Sequence, residues 1–302
     1  MGWATVVIVL AGCGRVGFDA SASDGPGVDS KPCSAGRFGP FSAPVKLTGP
    51  IQSAGDDWFP TPSLGENAMF FHSFQGASVN GDLWFATRDD PSSEFAAPTR
   101  IVELATTAEE ISPTLTEDGL EMLFIRSGIP DTMFRTTRAD ATSPWQPASA
   151  IIELDTSVAN SAPWIAADGL AIAFVSDRTG PFTLFEARRL SRQAMFGAPV
   201  ELSELHESGS QDRAVTLSRD GLEIFYSSSR TGGSGGLDIY TATRTAVDQP
   251  FGAPRQVPEL SSVNDDFGAR LSLDGRRIYF NYDAMTGGGT NGDIWQATRT
   301  CN

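Results

Sequence analysis

Five polar residues recur at matched places along the 302-residue chain: Asp57, Glu110, Asn160, Asp212 and Asp266. Each stands three residues ahead of a stretch with the composition of a β-strand. Four carboxylates brought together need a counter-charge, so the group could hold a cation, a cationic group or a sugar. Two carboxyls ~5–10 Å apart, one with a raised pKa, could instead cleave a glycosidic bond. The structural alternative is that a carboxylate or Asn at a chain corner accepts backbone N–H bonds in the turn. Arg178 and Arg230, in two Arg-Thr-Gly turns, are expected on the same face as this acidic set. The set implies no cofactor other than a cation, and the identity of any metal is open.

Other chemistry has weaker support. The two histidines, His72 and His206, have no second His or Cys at zinc-ligand spacing. No Ser stands in a nucleophile-elbow pattern. The stretch "SSSRTGGSGGLDIYTATR", residues 227–244, invites comparison with a phosphate loop. A phosphate loop leads into a helix and ends in Lys-Ser or Lys-Thr. This one leads into an alternating, strand-like run and has no Lys, so it reads as a turn with glycines supplying positive φ. The formal net charge of −15 opposes phosphate backbones, so nucleic acid is not an expected partner.

The elements that position these residues come from a repeat. An aromatic residue followed by a Pro and an apolar pair recurs at Phe41, Phe95, Trp145, Phe196 and Phe251, with steps of 54, 50, 51 and 55 residues. A second unit follows each, and four of its copies carry Asp118-Gly119, Asp168-Gly169, Asp220-Gly221 and Asp274-Gly275. Asp-Gly between alternating apolar runs predicts a hairpin. A third unit ends in Arg88, Arg138, Arg189, Arg244 or Arg299, and each of the first four lies 7 residues before the next aromatic. Four short strands per repeat of 50–55 residues match a propeller blade.

In the second strand, Met69, Met122, Ile172, Ile224 and Ile278 form one column. Phe71, Phe124, Phe174, Tyr226 and Phe280 form another on the same side, two residues on. The residues between them are also apolar, so both faces are expected to be buried. The reading is an all-β, five-bladed β-propeller with four-stranded antiparallel blades. Its ring is closed by residues 41–47 pairing with 293–299. In that ring the five polar residues surround one mouth of the central tunnel. Closure also brings Cys33 near Cys301, and in an exported protein the two are expected to form a disulfide.

The copies Pro113 with Asp118-Gly119, "FVSDRTG" from Phe174, "YSSSRTGGSGGLDIY" from Tyr226 and "FNYDAMTGGGTNGDIW" from Phe280 resemble the TolB-type, WD40-like propeller repeats of bacterial envelope proteins. The resemblance covers about 260 residues. It implies a non-enzymatic platform that docks an envelope protein or a small polar ligand. The rival reading is a glycan-active enzyme using Asp57, Glu110, Asp212 and Asp266.

The N-terminus differs in kind. "MGWATVVIVLAGC" is an apolar run too short to span a bilayer, and it ends in a tetrad resembling a bacterial lipobox. That resemblance implies a signal peptide over 1–12 and lipidation of Cys13. Residues 13–40, rich in Gly, Ser, Asp and Pro, read as a tether, and 41–302 as the propeller. Gly14 after the lipid site favours the outer membrane, with the lipid as the sole membrane attachment.

Overall fold

In the computed structural model, residues 38–53, 55–76, 80–154, 158–284 and 292–301 are described. The signal, Cys13, Cys33 and most of the tether lie outside them. Among the described residues there is no α-helix, and no helix is long and apolar enough to cross a membrane. Two 3-10 turns, Ser203–Leu205 and Pro258–Leu260, interrupt an otherwise all-β chain.

Five four-stranded antiparallel sheets form the blades. Their innermost strands are Asp57–Ser63, Glu110–Leu115, Asn160–Ile165, Asp212–Leu217 and Asp265–Leu271, and these begin blades one to five. Each innermost strand touches the next, and the fifth touches the first, so the ring is closed. Asp118, Asp168, Asp220 and Asp274 shape the turn to the second strand by accepting the backbone N–H two residues on, at 2.8–3.1 Å. The glycine after each Asp has a φ of +65° to +77°, the left-handed conformation that only glycine adopts without strain. Ser228 pairs with Asp238 at the top of the fourth blade's second hairpin, so the glycine-rich stretch between them is the expected turn.

The second strands carry the core. All three columns, including the intervening Phe70, Leu123, Ala173, Phe225 and Tyr279, are at most 2% exposed. Their clusters lie between blades. Phe70 of blade one packs with Phe124 of blade two, and Leu123 of blade two with Phe174 of blade three. Blade five's Tyr279 joins blade one's Met69 and Phe71. Each such side chain contributes about 1.5–3 kcal/mol by leaving water, and the sum binds the ring as a unit.

The fourth strands are shorter than the sequence suggests. Each is two residues long: Val45–Lys46, Thr99–Arg100, Ser149–Ala150, Val200–Glu201 and Arg255–Gln256. The prolines Pro44, Pro98, Pro199 and Pro254 stand directly before four of them, and Pro147 two before the other. Proline has no N–H to give a ladder, which limits these strands to an edge stub. The closing blade follows the same rule. Val45 pairs with Gln296 and Lys46 with Trp295, and Ser42 N and Leu47 N extend the pairing to Thr298 O and Ile294 O. Gly39 N reaches Thr300 O at 2.9 Å, and Phe38 forms a bridge with Cys301, so the two ends of the described chain lie side by side. Cys301 is disulfide-bonded.

The constant 7-residue spacing has a side-chain cause. Arg88, Arg138, Arg189 and Arg244 stack on Phe95, Trp145, Phe196 and Phe251 with the guanidinium 4.2–4.5 Å from the ring centre. In each of the last four blades the same arginine donates through Nε to the hairpin glycine's carbonyl, at 2.6–2.7 Å. Three arginines also clasp a carboxylate of the preceding blade: Arg189 with Glu121, Arg244 with Glu186, and Arg299 with Glu223.

Candidate functional site

The five sequence-selected polar residues do begin the innermost strands or stand next to their first residue, but they point into the protein. Asp57, Glu110, Asn160, Asp212 and Asp266 are at most 1% exposed. Asp57 accepts from the N–H and hydroxyl of Ser53, four residues back, at 2.9 and 3.1 Å. Glu110 takes the Thr106 N–H at 3.1 Å and its hydroxyl, and Asp266 takes the same two groups from Ser262. These contacts tie down the connection arriving from the previous blade. Burial pushes the Asp57 carboxyl up to about 6, against the downward pull of Ser73 and Ser53.

The two sequence-selected arginines pair with members of this set. Arg178 Nη2 donates to Asn160 Oδ1 at 2.9 Å and to Leu154 O at 3.0 Å. Arg230 lies 3.9 Å from Asp212 and donates to the Leu205 carbonyl and the Tyr226 hydroxyl. Arg126 plays the same part in blade two, with Nε 2.9 Å from Glu110, although its turn lacks the Arg-Thr-Gly signature. His206 also joins the set, with its Nδ1 2.8 Å from Asp212 Oδ2. Among the described residues no three metal-ligating side chains converge.

At this mouth, the residue after each corner residue is half-buried: Trp58, Ile111, Ser161, Arg213 and Phe267. Trp58 stacks on Phe267 with ring centres 5.0 Å apart, and Arg213 lies 4.1 Å over Phe182. The residue after that bulges. Phe59, Ser112, Ala162, Ala214 and Gly268 all have positive φ, and each strand's register shifts there. Phe59 reaches past Phe267, at 5.7 Å, to pack against the core cluster of blades three and four.

At the opposite end, beside the Asp-Gly hairpins, lies a cavity of about 290 Å³. Residues of all five innermost strands line it, which places it on the ring axis. Its equivalent positions are Thr61, Thr114, Trp164, Thr216 and Arg270, each four residues after the buried corner residue. None of these was selected from sequence. Their signal was there: aligned, the copies read "PTPS", "PTLT", "PWIA", "VTLS" and "ARLS", with Thr replaced in two of five.

No protein-family model matches the chain, and no curated protein sequence matches it. Solved structures do. TolB from Acinetobacter baumannii aligns over 82% of this chain and 55% of its own, with a TM-score of 0.52 and 17% identity. The chain thus spans about half the length of that protein. A thermostable family-43 glycoside hydrolase aligns over 84% of this chain and 92% of its own, with a TM-score of 0.58 and 12% identity. The catalytic domain of a GH62 α-L-arabinofuranosidase from Coprinopsis cinerea covers 86% and 97%, with a TM-score of 0.55 and 12% identity. At such identities the likeness is one of fold, and a propeller fold serves binding proteins and hydrolases alike.

Proposed function

We propose that this protein is a binding propeller of the bacterial cell envelope, tethered through Cys13, that docks a partner at the mouth bearing Trp58 and Phe267. The observation that carries this reading is the state of the carboxylates. Asp57, Glu110, Asp212 and Asp266 are buried and bonded to their own corners or to a neighbouring His or Arg. A retaining or inverting hydrolase needs two carboxyls free to meet the sugar. The five half-buried residues that follow the corners, Trp58, Ile111, Ser161, Arg213 and Phe267, are aromatic, apolar, hydroxyl and one arginine, a composition suited to protein recognition. The lipobox-like tetrad and the disulfide at Cys301 favour an exported protein.

Affinity capture from detergent-solubilised envelopes tests it. A specific protein retained by the wild type and lost from a Trp58→Ala/Phe267→Ala double variant is the expected result. The second reading, a glycan-active enzyme, draws on the fold of the hydrolase neighbours and on Asp57, whose raised pKa is the property of a general acid. Turnover of arabinan or xylan oligosaccharides, abolished in a folded Asp57→Asn protein, would establish that reading and overturn the first.

A further inference from the structure

The axial cavity departs from five-fold symmetry in a chemically specific way. In three blades the equivalent residue is a threonine that laces neighbouring innermost strands together. Thr61 Oγ1 donates to Pro113 O at 2.6 Å, Thr114 Oγ1 accepts from Ile165 N at 3.2 Å, and Thr216 Oγ1 accepts from Leu271 N at 3.3 Å. In blade five an arginine takes that place. Arg270 is 2% exposed, and its guanidinium reaches across to two other blades. Nη1 donates to Val215 O at 2.7 Å and Ala269 O at 3.2 Å, and Nη2 donates to Pro163 O at 2.8 Å. Among the described residues its Nε–H has no partner, and no carboxylate lies within 4.0 Å of the guanidinium. The deeply buried Arg189, Arg244 and Arg299, by contrast, each have a carboxylate. A buried cation without a counter-charge is expensive, by several kcal/mol, and carbonyl dipoles offset only part of that.

The acids around the cavity do not supply the missing charge. Glu66 takes the Tyr279 hydroxyl at 2.7 Å and Arg277 at 3.0 Å. Glu117 is held by Arg219 at 3.2 Å, and Asp274 accepts from Ser272 and Arg276 N. The aromatic part of the wall is Trp164, which is half-buried, and Leu115, Ile165, Leu217 and Leu271 add aliphatic surface.

We propose that this cavity is a binding site for a small organic carboxylate, whose anion pairs with Arg270 and whose body lies against Trp164. A carboxylate suits a guanidinium fork in shape, and one unit of negative charge balances one buried arginine. A phosphate dianion would bury a surplus charge there. The cavity, about 290 Å³, is at the small end of ligand pockets, which limits the guest to the size of a sugar acid or an aromatic acid. This site is independent of the docking mouth at the other end of the axis.

Calorimetric titration of the full-length protein with benzoate, glucuronate, acetate, inorganic phosphate and a tripeptide with free or amidated C-terminus tests the assignment. The expected result is saturable binding of benzoate or glucuronate, with weaker acetate and no phosphate. Arg270→Met should weaken that binding about 10- to 150-fold, as for loss of a charged hydrogen bond. Arg270→Lys should recover part of it. Trp164→Phe should retain binding but lose the ligand-induced change in tryptophan fluorescence. Binding of only the free-carboxylate tripeptide would keep the carboxylate chemistry and overturn a small-molecule guest. If Arg270→Met does not fold, the wild type still decides. No carboxylate bound at about 10 mM, or phosphate bound as tightly as benzoate, overturns the proposal.

Discussion

Asp57 and His72 show how burial at single residues sets opposite pH responses. They lie on paired strands, with Asp57 opposite Ser73 and His72 opposite Trp58. Burial raises the Asp57 carboxyl from 3.8 to about 6. Between those values the folded protein holds a proton that the unfolded chain has lost. Its contribution is therefore complete below about pH 4 and lost as pH rises through 6. Burial lowers His72 from 6.5 to about 3, among the rings of Phe59 and Phe74. Its contribution is complete above pH 6.5 and lost as pH falls toward 3. Urea titrations at pH 4, 5, 6 and 7 should separate them. Relative to wild type, Asp57→Asn should lose up to about 3 kcal/mol of the stability gained on going from pH 6 to pH 4. His72→Phe should remove the opposing acid-side loss. Parallel wild-type and variant curves would mean that neither group is perturbed. The buried pair Arg189–Glu121 gives a further test. Glu121→Ala should cost about 3–5 kcal/mol by leaving the guanidinium unpaired.

Within a blade, the hairpin glycine and the third-strand arginine act together. The arginine lies on the next aromatic and holds the glycine's carbonyl, so turn, third strand and fourth strand are joined at one point. At Gly119, a Cβ would meet Arg138 Nη2 at 3.0 Å and Leu64 Cδ2 at 3.1 Å, in addition to the strain of a φ of +65°. At Gly221 the φ is +70° but the nearest atom would be 3.4 Å away. Alanine at either should cost about 1–2 kcal/mol for the left-handed backbone, and Gly119→Ala should cost more than Gly221→Ala by chemical denaturation. Equal losses would mean that the arginine stack yields freely. Phe124→Ala, in a column buried between blades one and two, should cost about 3–5 kcal/mol.

For the whole ring, closure rests on the segment before blade one. Val45–Lys46 and flanking hydrogen bonds complete blade five, Phe41 is buried in its core cluster, and Arg299 lies over the Phe38 and Phe41 rings. Deleting residues 38–47 should leave the Trp295–Thr298 edge open, and light scattering should then show oligomers, as open edges pair with other chains. A monomer of unchanged melting temperature would assign ring cohesion to the blade interfaces alone. The disulfide at Cys301 has Cys33 as its proposed partner. Non-reducing peptide mapping should recover a Cys33–Cys301 peptide, whereas a Cys13–Cys301 peptide would exclude lipidation of Cys13.

The blade count, the three long strands of each blade, the buried columns and the closing pair were all legible in the residues. They depend on period-two hydrophobicity and on Asp-Gly turns, which act over a few residues. The equal spacing from arginine to aromatic was visible too, but its stacking was not. The direction of the acidic set was beyond local reading, because a carboxylate at a corner faces tunnel or turn according to how the incoming chain packs. The cavity was further still. Arg270 meets carbonyls 55 and 107 residues away, and only ring closure makes them neighbours. A Trp and an Arg in a column of threonines could be seen in aligned repeats. That they share one space on the axis follows from five strands converging on it.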